Sequence, residues 1–125
     1  MGLFFGFNLA TFVLSLHTPA SDTCTLQSLH RFAQAALQQG HHIASIFLYQ
    51  DGVYHALNDF DIASDEFNPK VIWQRLFDLN IPVHVCVTAA SKRGVVANDS
   101  SQFIVSGLAE FAMDVAQADR WVQFK

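Results

Sequence analysis

Charge is what this sequence has least of. Lys, Arg, Asp and Glu make up 14% of its 125 residues, against about 25% in ordinary soluble domains. The net charge is −4 and no basic run is longer than Lys92-Arg93. Gripping phosphates takes clustered Lys and Arg, so the composition argues against direct nucleic-acid binding and leaves any involvement with RNA indirect. Cysteine is also scarce. Cys24 and Cys86 show neither CxxC spacing nor a zinc pattern, and two cysteines do not make a secreted disulfide scaffold. Free thiols in a reducing, cytoplasmic setting are the expectation. No GxGxxG or P-loop is present to hold a nucleotide or flavin, so no cofactor is expected. The six histidines are scattered. Their one close pair, His41-His42, follows Gly40 in a turn, where adjacent side chains diverge and make a poor metal site.

Linkers, low-complexity tracts and repeats are missing too, and the length suits one domain with a single core. Leu3 to Leu16 is largely apolar, but no Lys or Arg precedes it, as a secretory signal would require. A membrane span would need about 20 apolar residues, more than this run supplies. Residues 1–9 are therefore read as an N-terminal extension, and residues 10–125 as the domain.

Hydrophobic residues are plentiful, at 51%, and they alternate between two periodicities. Ala10–Leu16, Ile43–Tyr49 and Val83–Val87 are apolar, β-rich runs of strand length. Phe103–Val105 and Arg120–Phe124 add two shorter ones. Between the first two runs, Leu26, Leu29, Ala33, Ala36 and Leu37 recur at helical spacing, with Asp22 or Thr23 as cap and Gly40 as stop. Asn68-Pro69 opens a second helix with apolar residues Ile72, Trp73, Leu76, Phe77 and Leu79. Ser106 is placed to cap a last helix whose face is Leu108, Phe111, Ala112 and Val115. Gln50-Asp51-Gly52 reads as a turn and Val53–Glu66 as a long loop, of a length that is often functional or interfacial. Strands alternating with helices, and apolar throughout, predict a three-layer α/β/α domain around a mostly parallel, flavodoxin-like sheet of four or five strands.

The stretch that organises this pattern is Pro82-Val-His-Val-Cys-Val-Thr-Ala-Ala-Ser-Lys-Arg-Gly-Val-Val96. It puts Cys86 near a strand's carboxyl end, where ligands and chemistry gather in open α/β sheets. Thr88, Ala89 and Ala90 follow, then Lys92, Arg93 and Gly94. Backbone N–H groups of a tight turn or helix start, with two cations close by, would favour the thiolate, which is the nucleophile. The pattern admits a second reading, a buried cysteine that packs as a small hydrophobe. Cys24 reads as a partly buried helix-start residue, and Asp65 and Glu66 as solvated turn acids. So low a charged fraction also leaves much of the surface apolar or neutral, which marks an interface. Tyr49, Tyr54, Phe60 and Phe67 are the aromatics in loops or at element ends that could supply it.

Several segments together resemble the DsrE family of small sulfur-trafficking proteins, and its TusD-like branch most of all. They are Val85-Cys86-Val87-Thr88-Ala89-Ala90 with Arg93-Gly94-Val95-Val96, Phe47-Leu48-Tyr49-Gln50-Asp51-Gly52-Val53-Tyr54, and Ser64-Asp65-Glu66-Phe67. Ser106-Gly107-Leu108 and Asp119-Arg120-Trp121-Val122-Gln123-Phe124 complete the set. The resemblance implies a DsrEFH-like sheet and a sulfurtransferase in which Cys86 carries sulfur as a persulfide. It further implies a hetero-hexamer with TusB-like and TusC-like subunits. A TusA-like donor and a TusE-like acceptor would complete a relay towards 2-thiouridine at the tRNA wobble position. His17-Thr-Pro-Ala-Ser-Asp-Thr23 departs from the family in lacking a glycine and tyrosine after the first strand. Three alternatives stand beside this reading. They are a DsrE-type subunit of dissimilatory sulfur oxidation, a non-catalytic scaffold subunit with an inert Cys86, and a flavodoxin-like module binding a small anion.

Overall fold

The computed structural model describes residues 9–57, 67–96 and 102–125. Five strands form one sheet in the order β4-β3-β2-β1-β5. They are β1 (Thr11–Leu16), β2 (His42–Leu48), β3 (Val83–Cys86), β4 (Phe103–Ser106) and β5 (Arg120–Phe124). Every pairing is parallel, so each connection must cross over the sheet. The helices α1 (Thr23–Gln38), α2 (Pro69–Asp78), α3 (Val87–Lys92) and α4 (Leu108–Gln117) make these connections, with a 3-10 helix at Gln50–Ala56. The chain steps outward from β1 to β4, and α4 then carries it back to the far side of β1.

Alternation sorts the strand residues between two faces. Leu14, Leu16, Ile46, Leu48, Val83 and Val85 line up through the β1–β2–β3 register and are fully buried, as are Leu26, Leu29 and Ala33 of α1 and Leu76 of α2. The opposite face carries Ser15, Ser45, Phe47, His84 and Cys86. Among the described residues its cover is thin, because α4 buries none of its residues. It touches the sheet through Phe111, stacked on Phe47 at 4.3 Å, and through Asp114, which accepts from Ser45 Oγ at 3.3 Å. Ile104, Leu108, Met113 and Trp121 are left between 43% and 62% exposed.

Local chemistry explains most boundaries. The Asp22 carboxylate accepts from Thr25 N–H at 3.1 Å and caps α1, and Gly40, at φ +88°, turns the chain after it. Asn68 accepts from Lys70 N–H at 3.0 Å ahead of Pro69, as the sequence predicts. Elsewhere the expectations fail for tertiary reasons. Val87 is not strand: the chain leaves the sheet at Cys86, and Val87-Thr-Ala-Ala-Ser-Lys winds into α3. Gln50–Ala56 is helical rather than turn and loop. Ser106 ends β4 and does not cap α4. That position falls to Gly107, whose N–H donates to Glu110 Oε1 at 2.8 Å. Leu108 and Ala112 of the expected apolar face are exposed, with Phe111 and Val115 half-buried. Leu79 lies past the end of α2 and is exposed. Cys24 is exposed. Tyr49 and Tyr54 pack partly against the core and Phe67 is exposed, while Phe60, Asp65 and Glu66 lie outside the described residues.

The 3-10 helix is seated by a glycine and a histidine. A Cβ on Gly52 would lie 2.1 Å from the Leu16 carbonyl oxygen, so only glycine lets this segment rest on the end of β1. Gly52→Ala should therefore destabilise the fold by at least about 2 kcal/mol, as forced backbone displacement does, and chemical denaturation would register it.

His55 is buried behind it and bonded on both sides. Its Nδ1 accepts from Trp73 Nε1–H at 3.1 Å, so its Nε2 carries the proton and donates to the Thr18 carbonyl at 3.1 Å. Burial pushes its pKa down to about 4, against weaker upward pulls from the Thr18 bond and the Asp22 charge. The unfolded chain thus takes up this proton near pH 6.5, before the folded one does. Stability from a neutral His55 is complete above about pH 6.5 and falls by roughly 3 kcal/mol as the pH drops to about 4. Unfolding midpoints across that window should slope upward with pH in the native chain, and the slope should flatten in His55→Gln.

Candidate active site

Cys86 is the last residue of β3 and the residue from which α3 starts. The first N–H groups of a helix have no partner within it, and they converge at its start, next to the cysteine. The thiol is fully buried, so it does not stand open in the crevice.

A cavity of about 180 Å³ lies beyond the strand ends, lined by Tyr49, Gln50, Thr88, Ala89, Lys92, Arg93 and Leu108. The structure thus gathers Thr88, Ala89, Lys92 and Arg93, all singled out by the sequence, into one wall supplied by α3 and the residue that ends it. Ala90 faces elsewhere, into an apolar groove of about 220 Å³ with Val85, Val87 and Val105 among its walls. Gly94, at φ +68°, is the left-handed turn that follows α3, with nothing within 4 Å of where a Cβ would be. Its role is conformational.

The two cations differ. Arg93 Nε donates to Asp51 Oδ1 at 2.8 Å, and its Nη1 donates to the Ala89 carbonyl at 3.2 Å. The guanidinium therefore pins the end of α3 to the 3-10 helix. The pair is partly solvated, which limits it to under about 1 kcal/mol. Lys92 is exposed at the cavity wall.

The remaining walls were not singled out as site residues. Tyr49 follows β2 and caps the 3-10 helix, Gln50 is the first residue of that helix, and Leu108 starts α4. Gln50 holds a left-handed backbone, φ 53°, a strained state that a non-glycine residue keeps only when its surroundings fix it. A chain of hydrogen bonds does so. Trp121 Nε1–H donates to Ser15 Oγ at 2.9 Å. Ser15 Oγ is in turn hydrogen-bonded to His17 Nε2 at 2.9 Å, and His17 Nδ1–H donates to Gln50 Oε1 at 3.0 Å. The signal for Tyr49 and Gln50 was their place straight after an apolar strand; nothing local in the sequence connects Trp121 to them. Among the described residues, no three His, Cys, Asp or Glu side chains gather in a group able to hold a metal ion. No helix among them is long and apolar enough to cross a membrane.

This architecture has known counterparts. The DsrE/DsrF-like family matches residues 10–124. Sulfurtransferase TusD of Proteus mirabilis (strain HI4320) is 39% identical, covering 91% of this chain and 98% of its own. The Sulfurtransferase TusD homolog of Pasteurella multocida (strain Pm70) is 38% identical, covering 89% of this chain and 97% of its own. The crystal structure of the ychN protein from E. coli superposes with a TM-score of 0.75 over 94% of this chain and 100% of that one. At 21% identity, that likeness speaks for the fold alone. The chain belongs to the DsrE/DsrF-like family, in its branch of TusD-like sulfurtransferases.

Proposed function

We propose that this chain relays sulfur as a persulfide on Cys86. It would take the sulfur from a TusA-like carrier and pass it to a TusE-like carrier, towards 2-thiolation of the tRNA wobble uridine in the cytoplasm. The observation that carries the reading is the position of Cys86, at the exit of β3 and the start of α3, whose outer side walls the cavity.

The chemistry is an exchange between sulfur centres. The Cys86 thiolate attacks the outer sulfur of R–S–SH, a bond forms between Cys86 Sγ and that sulfur, and the donor's S–S bond breaks. The departing thiolate R–S⁻ keeps the electron pair and takes up the proton that Cys86 gave up. The balance is Cys86–SH plus R–S–SH giving Cys86–S–SH plus R–SH, with no net oxidation and no metal or cofactor. Lys92 supplies positive potential at the cavity wall for the anionic sulfur. Thr88 and Ala89 keep that wall small, and Arg93 holds α3 in place. Since Cys86 is closed to solvent, sulfur reaches it when α3 shifts, and α3 is short enough for a docking carrier to move it.

Burial of Cys86 favours a second reading, a scaffold subunit with an inert thiol. Mass spectrometry after incubation with a persulfide donor separates the two. The mass should rise by one sulfur in the native chain and in Cys24→Ser, and stay unchanged in Cys86→Ser. Loading of Cys86→Ser equal to native would remove Cys86 from the relay.

TusB-like and TusC-like partners in a hetero-hexamer are supported by the thinly covered sheet face, where Ile104, Leu108, Met113 and Trp121 are exposed. Light scattering should find the isolated chain self-associating, and well dispersed once those partners are added. A stable monomer indifferent to them would count against the complex.

A further inference from the structure

Among the described residues, the buried side-chain polar atoms without a hydrogen-bond partner are Thr18 Oγ1, His30 Nε2, His84 Nδ1 and Ser106 Oγ. Such atoms are rare because each forfeits its bond to water without replacement. The last two lie around Cys86. His84 is two residues before it on β3, and so on the same face of the sheet. Ser106 is its direct register partner across β3 and β4. Parallel neighbours about 4.8 Å apart point their side chains the same way, so hydroxyl and thiol stand side by side. Ser106 is 4% exposed and Cys86 0%. The one local task open to a serine just before α4, capping that helix, belongs to Gly107.

We propose that the Ser106 hydroxyl is the hydrogen-bond donor to the Cys86 sulfur whenever that sulfur is anionic. The inference rests on the persulfide-relay reading and adds a catalytic residue to it. Negative charge appears on Cys86 Sγ twice in the cycle. It is the attacking thiolate during loading. During release an acceptor thiolate attacks the outer sulfur, the S–S bond between that sulfur and Cys86 Sγ breaks, and Cys86 Sγ leaves with the electron pair. Rotation about the serine side chain brings the O–H onto Sγ in both steps, and a neutral thiol has no comparable demand for it. The hydroxyl is thus idle in the resting state and engaged when charge develops.

The test uses the full chain in dilute solution in a Cys24→Ser background, so that Cys86 is the one thiol. Ser106→Ala removes the donor, and Ser106→Thr keeps it. The first reading is the pH profile of thiolate absorbance, with Cys86→Ser as baseline. Among the described residues, ionisable groups on the surrounding elements are His84, Lys92, Arg93, Asp51, His55, Glu110 and Asp114, all common to both variants, so a difference reports the hydroxyl. Ser106→Ala should move the profile about one pH unit upward, and Ser106→Thr should leave it in place. Loading from glutathione persulfide at neutral pH should slow about threefold, because a tenfold loss of thiolate is half offset by a more nucleophilic sulfur. Release to a small thiol should slow by about the same factor or more. The melting temperature of Ser106→Ala should not fall, since an unpartnered polar group has gone. An unchanged profile, or a marked drop in melting temperature, would overturn the proposal. If the background protein takes up no sulfur at all, the relay reading fails separately, and the absorbance profile still decides the bond.

Discussion

The carboxyl end of β1 is the support on which the site is built. The Leu16 carbonyl accepts Tyr49 N–H at 3.1 Å and lies directly beneath Gly52. That contact sets the height and direction of the 3-10 helix. It puts Asp51 where Arg93 can reach it, and Arg93 in turn fixes the end of α3. Tyr49 and Gln50 are turned into the cavity wall by the same event. A methyl group at residue 52 would therefore disturb the helix over β1, the ion pair, and the segment that begins at Cys86.

Much of this was legible from the sequence, and the reasons for the rest are physical. β1, β2 and β5 are read from β-branched and aromatic runs to within a residue or so, and α1 and α2 from caps that act locally. What failed depended on contacts distant in sequence. Val87 continues an apolar run, yet it is 44% exposed and helical, because small, helix-tolerant residues follow it and the Arg93–Asp51 pair rewards the bend. Ser106 has the right chemistry for a cap, but it is held in β4 by pairing with Cys86, and the cap moves one residue on. Cys86, Lys92 and Arg93 could be picked out by residue type. That Arg93 braces the helix was not visible, since its partner Asp51 lies 42 residues away.

Polar groups are scarce here, and their distribution carries meaning for that reason. Ser15, His17, Gln50 and Trp121 come from three separate segments, and all their bonding is directed along one line towards the cavity wall. His55 is likewise satisfied by Trp73 and Thr18 at the other side of the 3-10 helix. At His55 a neutral histidine joins a donor on one side to an acceptor on the other, which fixes its tautomer and holds two elements together without buried charge. A chain with few ions can thus order a site through directional neutral bonds, and avoid the desolvation that buried ion pairs would demand.

The uneven cover of the sheet ties this site to the surface around it. One face is closed by α1 and α2. The other, which Cys86, His84 and Phe47 point towards, has α4 alone among the described helices, anchored chiefly through Phe111. Leu108 belongs to both settings: it lines the cavity and is 46% exposed on the thinly covered side. A shift of Leu108 would therefore change the shape of the cavity and of the exposed apolar surface together. The apolar surface and the thiol are parts of one region of the molecule. A helix anchored this lightly can move at small cost, because little buried area opposes the motion.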